Sequence, residues 1–327
     1  MPTSIIIPSD RPNDLRNCLQ SLRKQTLAFE GPIIIVAWGK QRQEISAIGR
    51  EFNVDTLETP TCQTGIAESR NLAINKVANK NWDFILILDD DTILHKEWHR
   101  SMQQACQNNP AYDLFASITL YSCDPNVIQS AGHILEKASL LDLYYKTVYT
   151  SDKNYKDPLV PCHNCALIRR KVIDKIRSID DDVYDTRFHR ATCFDFGLKA
   201  IILGFKTKLA NEAIAYHAGY LCRKDLNDED VLSQLTNRCL LYLKYYPELD
   251  RNRAFRLLRG KVKTEWYEKG YHNARKIKGA EIEIVYKKAL AEANKLWTRN
   301  RDLRWIEMVE KLDKAGREKL LFGNWQA

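Results

Sequence analysis

The chain has 327 residues, 44% hydrophobic and 28% charged, with a formal charge of +8. That size and balance fit a globular protein of one large or two moderate domains and exclude a disordered or fibrous chain. No run of 18 apolar residues exists, so no bilayer-spanning helix is predicted. The first residues, Met1-Pro2-Thr3-Ser4, lead into an apolar segment without a basic-then-apolar leader, so the expectation is a cytoplasmic chain with no secretory signal. Nine cysteines, an odd number without framework spacing, are expected to act as small buried hydrophobes.

Ser4-Ile5-Ile6-Ile7, stopped by Pro8, reads as a buried strand. Leu15, Cys18, Leu19 and Leu22 then recur at helical spacing within residues 13–25. A second apolar run, Ile33-Ile34-Ile35-Val36, ends at Gly39, and residues 65–79 read as helix. The third run, Phe84-Ile85-Leu86-Ile87-Leu88, is followed at once by three aspartates. Continuous apolar strands alternating with helices predict an α/β fold, a mostly parallel sheet covered on both faces. Ligands on such sheets bind at the carboxyl ends of the strands, which is where Asp89 to Asp91 fall.

Residues 110–223 are mixed, with strand candidates at 114–120 and 213–216. Beyond residue 224 the pattern is helical: Val231, Leu232, Leu235, Cys239, Tyr242, Leu243 and Tyr246 share one face, and 281–297 and 303–321 also read as helix. The expected division is therefore 1–223, an α/β domain, and 224–327, a helical region. The charge divides at the same point. Residues 1–223 carry 27 Lys/Arg against 26 Asp/Glu, a net of +1, whereas 224–327 carry 23 against 16, a net of +7. Within 251–278 the ratio is 10 to 2, with Trp266, Tyr267 and Tyr271 among the cations. Such a stretch suits an anionic membrane surface or a plain solvated face. Nucleic acid is not expected as a partner, because the basic residues lie in one helical segment with no recognition module.

Three adjacent carboxylates repel one another unless a cation neutralises them. Asp-x-Asp at the end of a buried strand suits a hard divalent ion that also contacts substrate phosphates. The alternative is a solvated acidic turn, and Asp180-Asp181-Asp182, with no strand before it, is read that way. Cys162-His163-Asn164-Cys165 contains one C-x-x-C. A structural zinc site needs four ligands, and His189 and Cys193 would supply the rest only at unusual spacing, so no zinc is expected.

The ordered set of motifs resembles the inverting glycosyltransferases of family 2, which have the GT-A fold. It runs through Ser4–Pro12, Leu15, Cys18-Leu19, Ser21-Leu22 and Gln25, then Gly65-Ile66-Ala67-Glu68-Ser69-Arg70-Asn71 and Ile87–Asp91. It resumes at Cys165–Arg170, Tyr184–Phe188, Phe194–Lys199, Gly204–Lys206 and Ala215-Tyr216-His217. The tail, with Thr236–Cys239 and Tyr245-Tyr246-Pro247, is similar to the rhamnosyl- and galactofuranosyltransferase subset.

The resemblance implies transfer of a hexose or deoxyhexose from a nucleotide-diphosphate sugar to a glycan or lipid-linked hydroxyl, and the basic stretch 251–278 adds the expectation of attachment at a membrane surface. It implies a metal, Mn²⁺ or Mg²⁺, on Asp89, Asp91 and His217, with Asp90 near the sugar or ribose. Pro8, Asp10, Arg11, Arg70 and Asn71 are the implied donor contacts. The family's Glu-Asp pair falls on Phe194-Asp195, so Asp195 is the implied base. At the end of the second strand the family commonly has an Asp that reads the nucleobase. This chain has Ala37-Trp38 there, and Trp38 either stacks on the base or packs. The competing classes are a nucleotidyltransferase, disfavoured because Pro8–Pro12 contains no glycine, and a non-catalytic glycan- or lipid-binding module.

Overall fold

A computed structural model describes residues 1–59, 65–136, 139–188, 192–218, 228–261 and 279–323. The chain forms two compact units. The first holds Met1–His133, Asp142–Thr186 and Thr192–Gly219; the second holds Tyr220–Ala327 with the short excursions Ile134–Leu141 and Arg187–Ala191.

The first unit opens with β1 (Thr3–Ser9), α1 (Pro12–Arg23), β2 (Ile33–Ala37), α2 (Arg42–Glu51), β3 (Asp55–Glu58), α3 (Ile66–Val77) and β4 (Phe84–Leu88). It continues through β5 (Thr92–Leu94), α4 (Trp98–Asn108), β6 (Leu114–Tyr121) and β7 (Asp124–Ser130). The chain then leaves this unit for a small hairpin, β8 (His133–Glu136) with β9 (Ser139–Asp142), whose residues 134–141 belong to the second unit. The first unit ends with β10 (Cys165–Arg169), α5 (Arg170–Arg177), α6 (Thr192–Ile202) and β11 (Thr207–His217). Nine strands form one sheet in the order β3-β2-β1-β4-β10-β6-β11-β5, with β7 on β6. Strands β3, β2, β1, β4, β6 and β11 share a direction; β10, β5 and β7 run against it.

Successive residues of a strand face opposite sides, and the apolar runs obey this on both faces. Ile5, Ile7, Ile35, Leu86 and Leu88 pack with Leu15 and Leu19 of α1, Ile45 and Ile48 of α2, and Trp98 and Met102 of α4. Ile6, Ile34, Val36, Ile85 and Ile87 pack with Ile74 and Val77 of α3, Val172 and Ile176 of α5, and Phe196 of α6. An unbroken apolar strand is thus explained by helices on both sides. Truncating one of these isoleucines to Ala would cost about 2–5 kcal/mol. Helix α1 starts on Pro12 at its first turn, where a missing N–H costs nothing.

In the second unit, α7 (Asp228–Tyr245), α8 (Glu248–Lys261), α9 (Gly279–Leu296), α10 (Arg299–Glu310) and α11 (Lys314–Phe322) follow one another. The helical stretch expected at 303–321 is two helices. Asp313 breaks it, its side chain accepting from Gly316 N at 2.6 Å as an N-cap. Arg187 makes a two-pronged ion pair with Asp302, at 2.6 and 2.9 Å, both residues being buried. None of the described helices is long and apolar enough to cross a membrane.

The cysteine expectation holds in part. Cys18, Cys106, Cys165 and Cys239 are free and buried, but Cys123 is disulfide-bonded. Odd spacing in the sequence does not exclude one bridged cysteine.

Candidate active site

The three aspartates leave β4 where β10 crosses beside it, and the Asp89 N–H donates to Asn164 O at 3.0 Å. Each carboxylate then has its own partner. Arg70 of α3, itself buried, donates to Asp89 Oδ1 at 3.0 Å, to Thr192 Oγ1 at 2.6 Å and to His163 O at 3.3 Å. Ser9, at the end of β1, donates to Asp90 Oδ2 at 2.9 Å, and Arg11 pairs with Asp90 Oδ1. Arg11 also reaches Asp91 Oδ2 at 3.2 Å.

His217 arrives from the far end of the chain because β11 pairs with β5, which places His217 opposite Thr92, one residue past Asp91. Its Nε2 lies 2.9 Å from Asp91 Oδ1. Its Nδ1 meets Gln129 Oε1 of β7 at 2.8 Å. An amide oxygen can only accept, so Nδ1 carries a proton and Nε2 is the nitrogen left to bind another group.

The electrostatics follow from burial set against these partners. Burial pushes Asp90 up to about 7, against the opposing pull of Arg11. Burial also raises Asp89, and Arg70 offsets only part of that. Burial works against the charged form of Asp91, but His217 and Arg11 hold its carboxyl below the ordinary range. For His217, burial disfavours the cation, yet Asp91 and Asp89 outweigh it and raise the pKa.

Asp89, Asp91 and His217 offer ligand atoms that all lie within 4.8 Å of one another. Two carboxylates and one imidazole are a donor set suited to Mn²⁺ and, less so, to Mg²⁺. The residues present therefore fit a divalent ion.

Asp195 lies in the first turn of α6 and is 1% exposed. Lys199, one helical turn later and fully buried, approaches Asp195 Oδ2 at 3.6 Å, Asp180 Oδ2 at 2.6 Å and Val183 O at 3.1 Å. The start of α6 is joined to the acidic cluster through Thr192, Arg70 and Asp89.

Residues 4–177 match the family described as glycosyl transferase family 2. The chain belongs to that family. An N-acetylglucosaminyltransferase of Bradyrhizobium diazoefficiens is 23% identical over 231 residues, covering 64% of this family 2 chain and 44% of that protein. The chain thus spans less than half the length of this curated relative. Among solved structures, TarS of S. aureus matches with a TM-score of 0.55 at 16% identity, over 98% of this chain and 55% of TarS. TarS 1–349 in complex with UDP-GlcNAc matches with a TM-score of 0.55 at 15% identity, over 93% of this chain and 83% of that one. The shared fold is GT-A, with a helical C-terminal region following the family 2 domain in this chain.

Within that fold the remaining residues singled out from the sequence take distinct places. Pro8 is buried in β1, opposite Val36 of β2. Trp38, half-buried, follows β2 and donates its N–H to Ser9 O at 3.0 Å. Gly39 then turns the chain with φ +74°, and a side chain there would meet the Asp10 Cβ at 3.3 Å. Asp10 pairs with Arg11 at 3.4 Å. Asn71 is different: both ends of its amide hold the Tyr184 backbone, at 2.7 and 2.9 Å. It shapes the site by fixing residue 184.

Four residues that sequence reasoning gave no role join the cluster: Ser9, Gln129, Thr192 and Lys199. The i,i+4 spacing of Lys199 from Asp195 was a readable signal; the other three were visible only once the strands were placed. The C-x-x-C does not act as a unit. Cys165 opens β10 in the core, its sulfur accepting from Ser117 Oγ at 3.4 Å, while Cys162, half-buried, lies with His133 and Asp142. His189 lies outside the described residues. So does most of the basic segment, 262–278. In the part of it that is described, Arg253 pairs with Glu318, Arg259 meets Glu283 at 2.8 Å, and Arg251 donates to Leu243 O and Tyr246 O.

Proposed function

We propose that this family 2 glycosyltransferase moves a sugar from a UDP-linked donor to a hydroxyl acceptor by a single, inverting displacement. The observation that carries the reading is the convergence of Asp89, Asp91 and His217 at the end of β4. A divalent ion held there would stabilise the negative charge that develops on the leaving diphosphate.

The residues of the chain do the rest. Asp195 takes the proton of the acceptor hydroxyl as its oxygen bonds to the anomeric carbon and the bond from that carbon to the diphosphate oxygen breaks. Lys199 keeps the Asp195 carboxylate in place. Arg11, now shared by Asp90 and Asp91, is placed to meet the donor phosphates, and Arg70 holds Asp89 in register with α6. Pro8, Asp10 and Trp38 line the approach of the nucleotide, with Trp38 against the base.

For the donor we put N-acetylglucosamine first, because one relative is named an N-acetylglucosaminyltransferase and one TarS structure is a complex with UDP-GlcNAc. This favours an aminosugar over the hexosyl, rhamnosyl or galactofuranosyl readings of the sequence. The acceptor class we infer is a glycan or a lipid-linked saccharide, reached from the cytoplasmic side of a membrane, with residues 1–223 as catalytic domain and 224–327 as a helical appendage. The direct test is thermal stability with UDP, GDP, CMP and dTDP, each with and without Mn²⁺. A ligand that binds only the folded state raises its stability. UDP with Mn²⁺ should give the largest shift, and a preference for another nucleotide would overturn the donor assignment. NMR of the product should show an inverted anomeric centre.

A further inference from the structure

We propose that the chain holds a second, sulfur-rich metal site, of the kind zinc occupies, built from His133, Cys162, Cys193 and Asp142. Nothing in the glycosyltransferase reading uses these residues, and the proposal does not depend on it. All four belong to the first compact unit: His133 and Asp142 are the two ends of the β8–β9 hairpin, and Cys162 and Cys193 come from two later stretches.

His133 begins β8. Gly132 before it has φ +92°, and a side chain at that position would lie 2.6 Å from Pro158 and 2.7 Å from Val160 O. Only glycine lets the 158–160 segment approach this closely. The approach pairs His133 N with Val160 O at 2.7 Å and Leu159 N with His133 O at 2.9 Å. The histidine is thereby fixed beside Cys162, two residues further on. Its ring is buried and packs edge-on against Phe194 at 4.8 Å.

His133, Asp142 and Cys162 offer ligand atoms within 4.8 Å of one another. Cys193 adds a fourth group, its sulfur 3.6 Å from His133 Nε2. On the other side of the ring, Asp142 Oδ1 lies 3.1 Å from Nδ1. A carboxylate beside one imidazole nitrogen, with the Cys193 sulfur 3.6 Å from the other, is the arrangement that orients a metal-ligating histidine. We therefore assign Nε2 and the two sulfurs as ligands, with Asp142 accepting the Nδ1 proton and the fourth position left to a water or an external ligand.

Thiols are weak hydrogen-bond donors and acceptors, so hydrogen bonding alone gives little reason to collect two of them around one imidazole. Zinc binding does: two thiolates and a neutral imidazole neutralise Zn²⁺, and the thiol protons are released on binding. The donor set also separates the two sites chemically, since the oxygen-rich group at Asp89, Asp91 and His217 suits a harder ion.

The test uses the full chain purified without chelator. Elemental analysis should find zinc, and replacing it with Co²⁺ should give a thiolate-to-cobalt charge-transfer band, which carboxylate and imidazole ligands alone cannot produce. Cys162→Ser and Cys193→Ser should each abolish the band, while Asp91→Asn should leave it unchanged. Asp142→Asn should keep the band but weaken zinc affinity about 10- to 100-fold. Should the cysteine variants fold poorly, the unaltered protein still decides: chelation should lower its melting temperature and zinc should restore it. Absence of both zinc and the cobalt band would overturn the proposal. So would a Cys162–Cys193 disulfide in the freshly purified protein, or zinc that is lost with Asp91→Asn and kept without the cysteines.

Discussion

The chain carries three consecutive aspartates twice, and the two copies meet different fates. Asp89–Asp91 follow a strand whose five residues are all buried, so the carboxylates emerge inside the protein. There each is matched: Arg70 at Asp89, Ser9 and Arg11 at Asp90, His217 at Asp91. Asp180–Asp182 follow α5 in an irregular segment; Asp181 is exposed and Asp180 reaches Lys199 at 2.6 Å. The same three residues give a partly exposed irregular segment in one setting and an organised charge site in the other. What differs is burial, which makes unmatched like charges costly and so demands partners.

The strongest way to break that comparison is to neutralise one carboxylate in each triplet. Asp91→Asn should lower transfer by on the order of 10³-fold or more, because a bound metal contributes several kcal/mol of charge stabilisation. Asp181→Asn should leave the rate within about twofold, as an exposed surface change. Rates measured at saturating Mn²⁺ check both, and an active Asp91→Asn enzyme removes the metal role.

The second triplet still touches the chemistry through Lys199. Asp195→Asn should reduce kcat by about 10²- to 10⁴-fold with donor affinity unchanged, since a base acts in the transition state. Loss of donor affinity at normal turnover would contradict the assignment. Asp180→Asn is the sharper companion. It removes one carboxylate from Lys199 while the Asp195 contact stays, so turnover should fall only several-fold.

A smaller effect isolates the orientation of His217. Gln129→Ala should weaken Mn²⁺ binding about 10- to 100-fold without touching a ligand. The pH dependence has a definite sign. Metal binds the neutral imidazole, and Asp91 and Asp89, prevailing over burial, raise the His217 pKa. Mn²⁺ affinity should therefore begin to fall at a higher pH than for an ordinary histidine, about tenfold per pH unit once the ring is protonated. Calorimetric titration at several pH values shows it, and an affinity flat through that range would remove His217 from the ligand set.

Much of this was legible in the chain. The three apolar runs predicted β1, β2 and β4, and the helix periods at 13–25 and 65–79 match α1 and α3 within a few residues. The acidic cluster was found because it abuts a strand. What stayed hidden was strand order. Nothing local in Cys165–Arg169 says that β10 inserts antiparallel between β4 and β6. Without that, neither the backbone bond from Asp89 to Asn164 nor the split of the C-x-x-C can be foreseen. His133 and Asp142 meet as the two ends of the β8–β9 hairpin, but nothing local brings Cys162 or Cys193 to them; Cys162 comes beside them through Gly132 and the 158–160 segment.

The smallest expected effect concerns the basic segment. Composition alone suggested cations free to meet an anionic membrane, each contributing on the order of 1 kcal/mol. In α8, however, Arg253 pairs with Glu318 and stacks over Phe322, and Arg259 pairs with Glu283. Arg251 lies over Trp297 and bonds to two carbonyl oxygens. Exposed ion pairs are weak, typically below about 1 kcal/mol, so membrane phosphates could still compete for Arg253 and Arg259, whereas the half-buried Arg251 is held by packing. Arg256 is exposed and makes neither kind of contact among the described residues. Co-sedimentation with vesicles rich in phosphatidylserine should therefore fall most per residue with Arg256→Ala, about fivefold, and less with Arg253→Ala. It should weaken as salt screens the charges. If Arg251→Ala reduced sedimentation as much as Arg256→Ala while the fold stayed intact, the pairing described here would not be what sets the availability of these cations. Sedimentation indifferent to lipid charge and salt would leave α8 as structure alone.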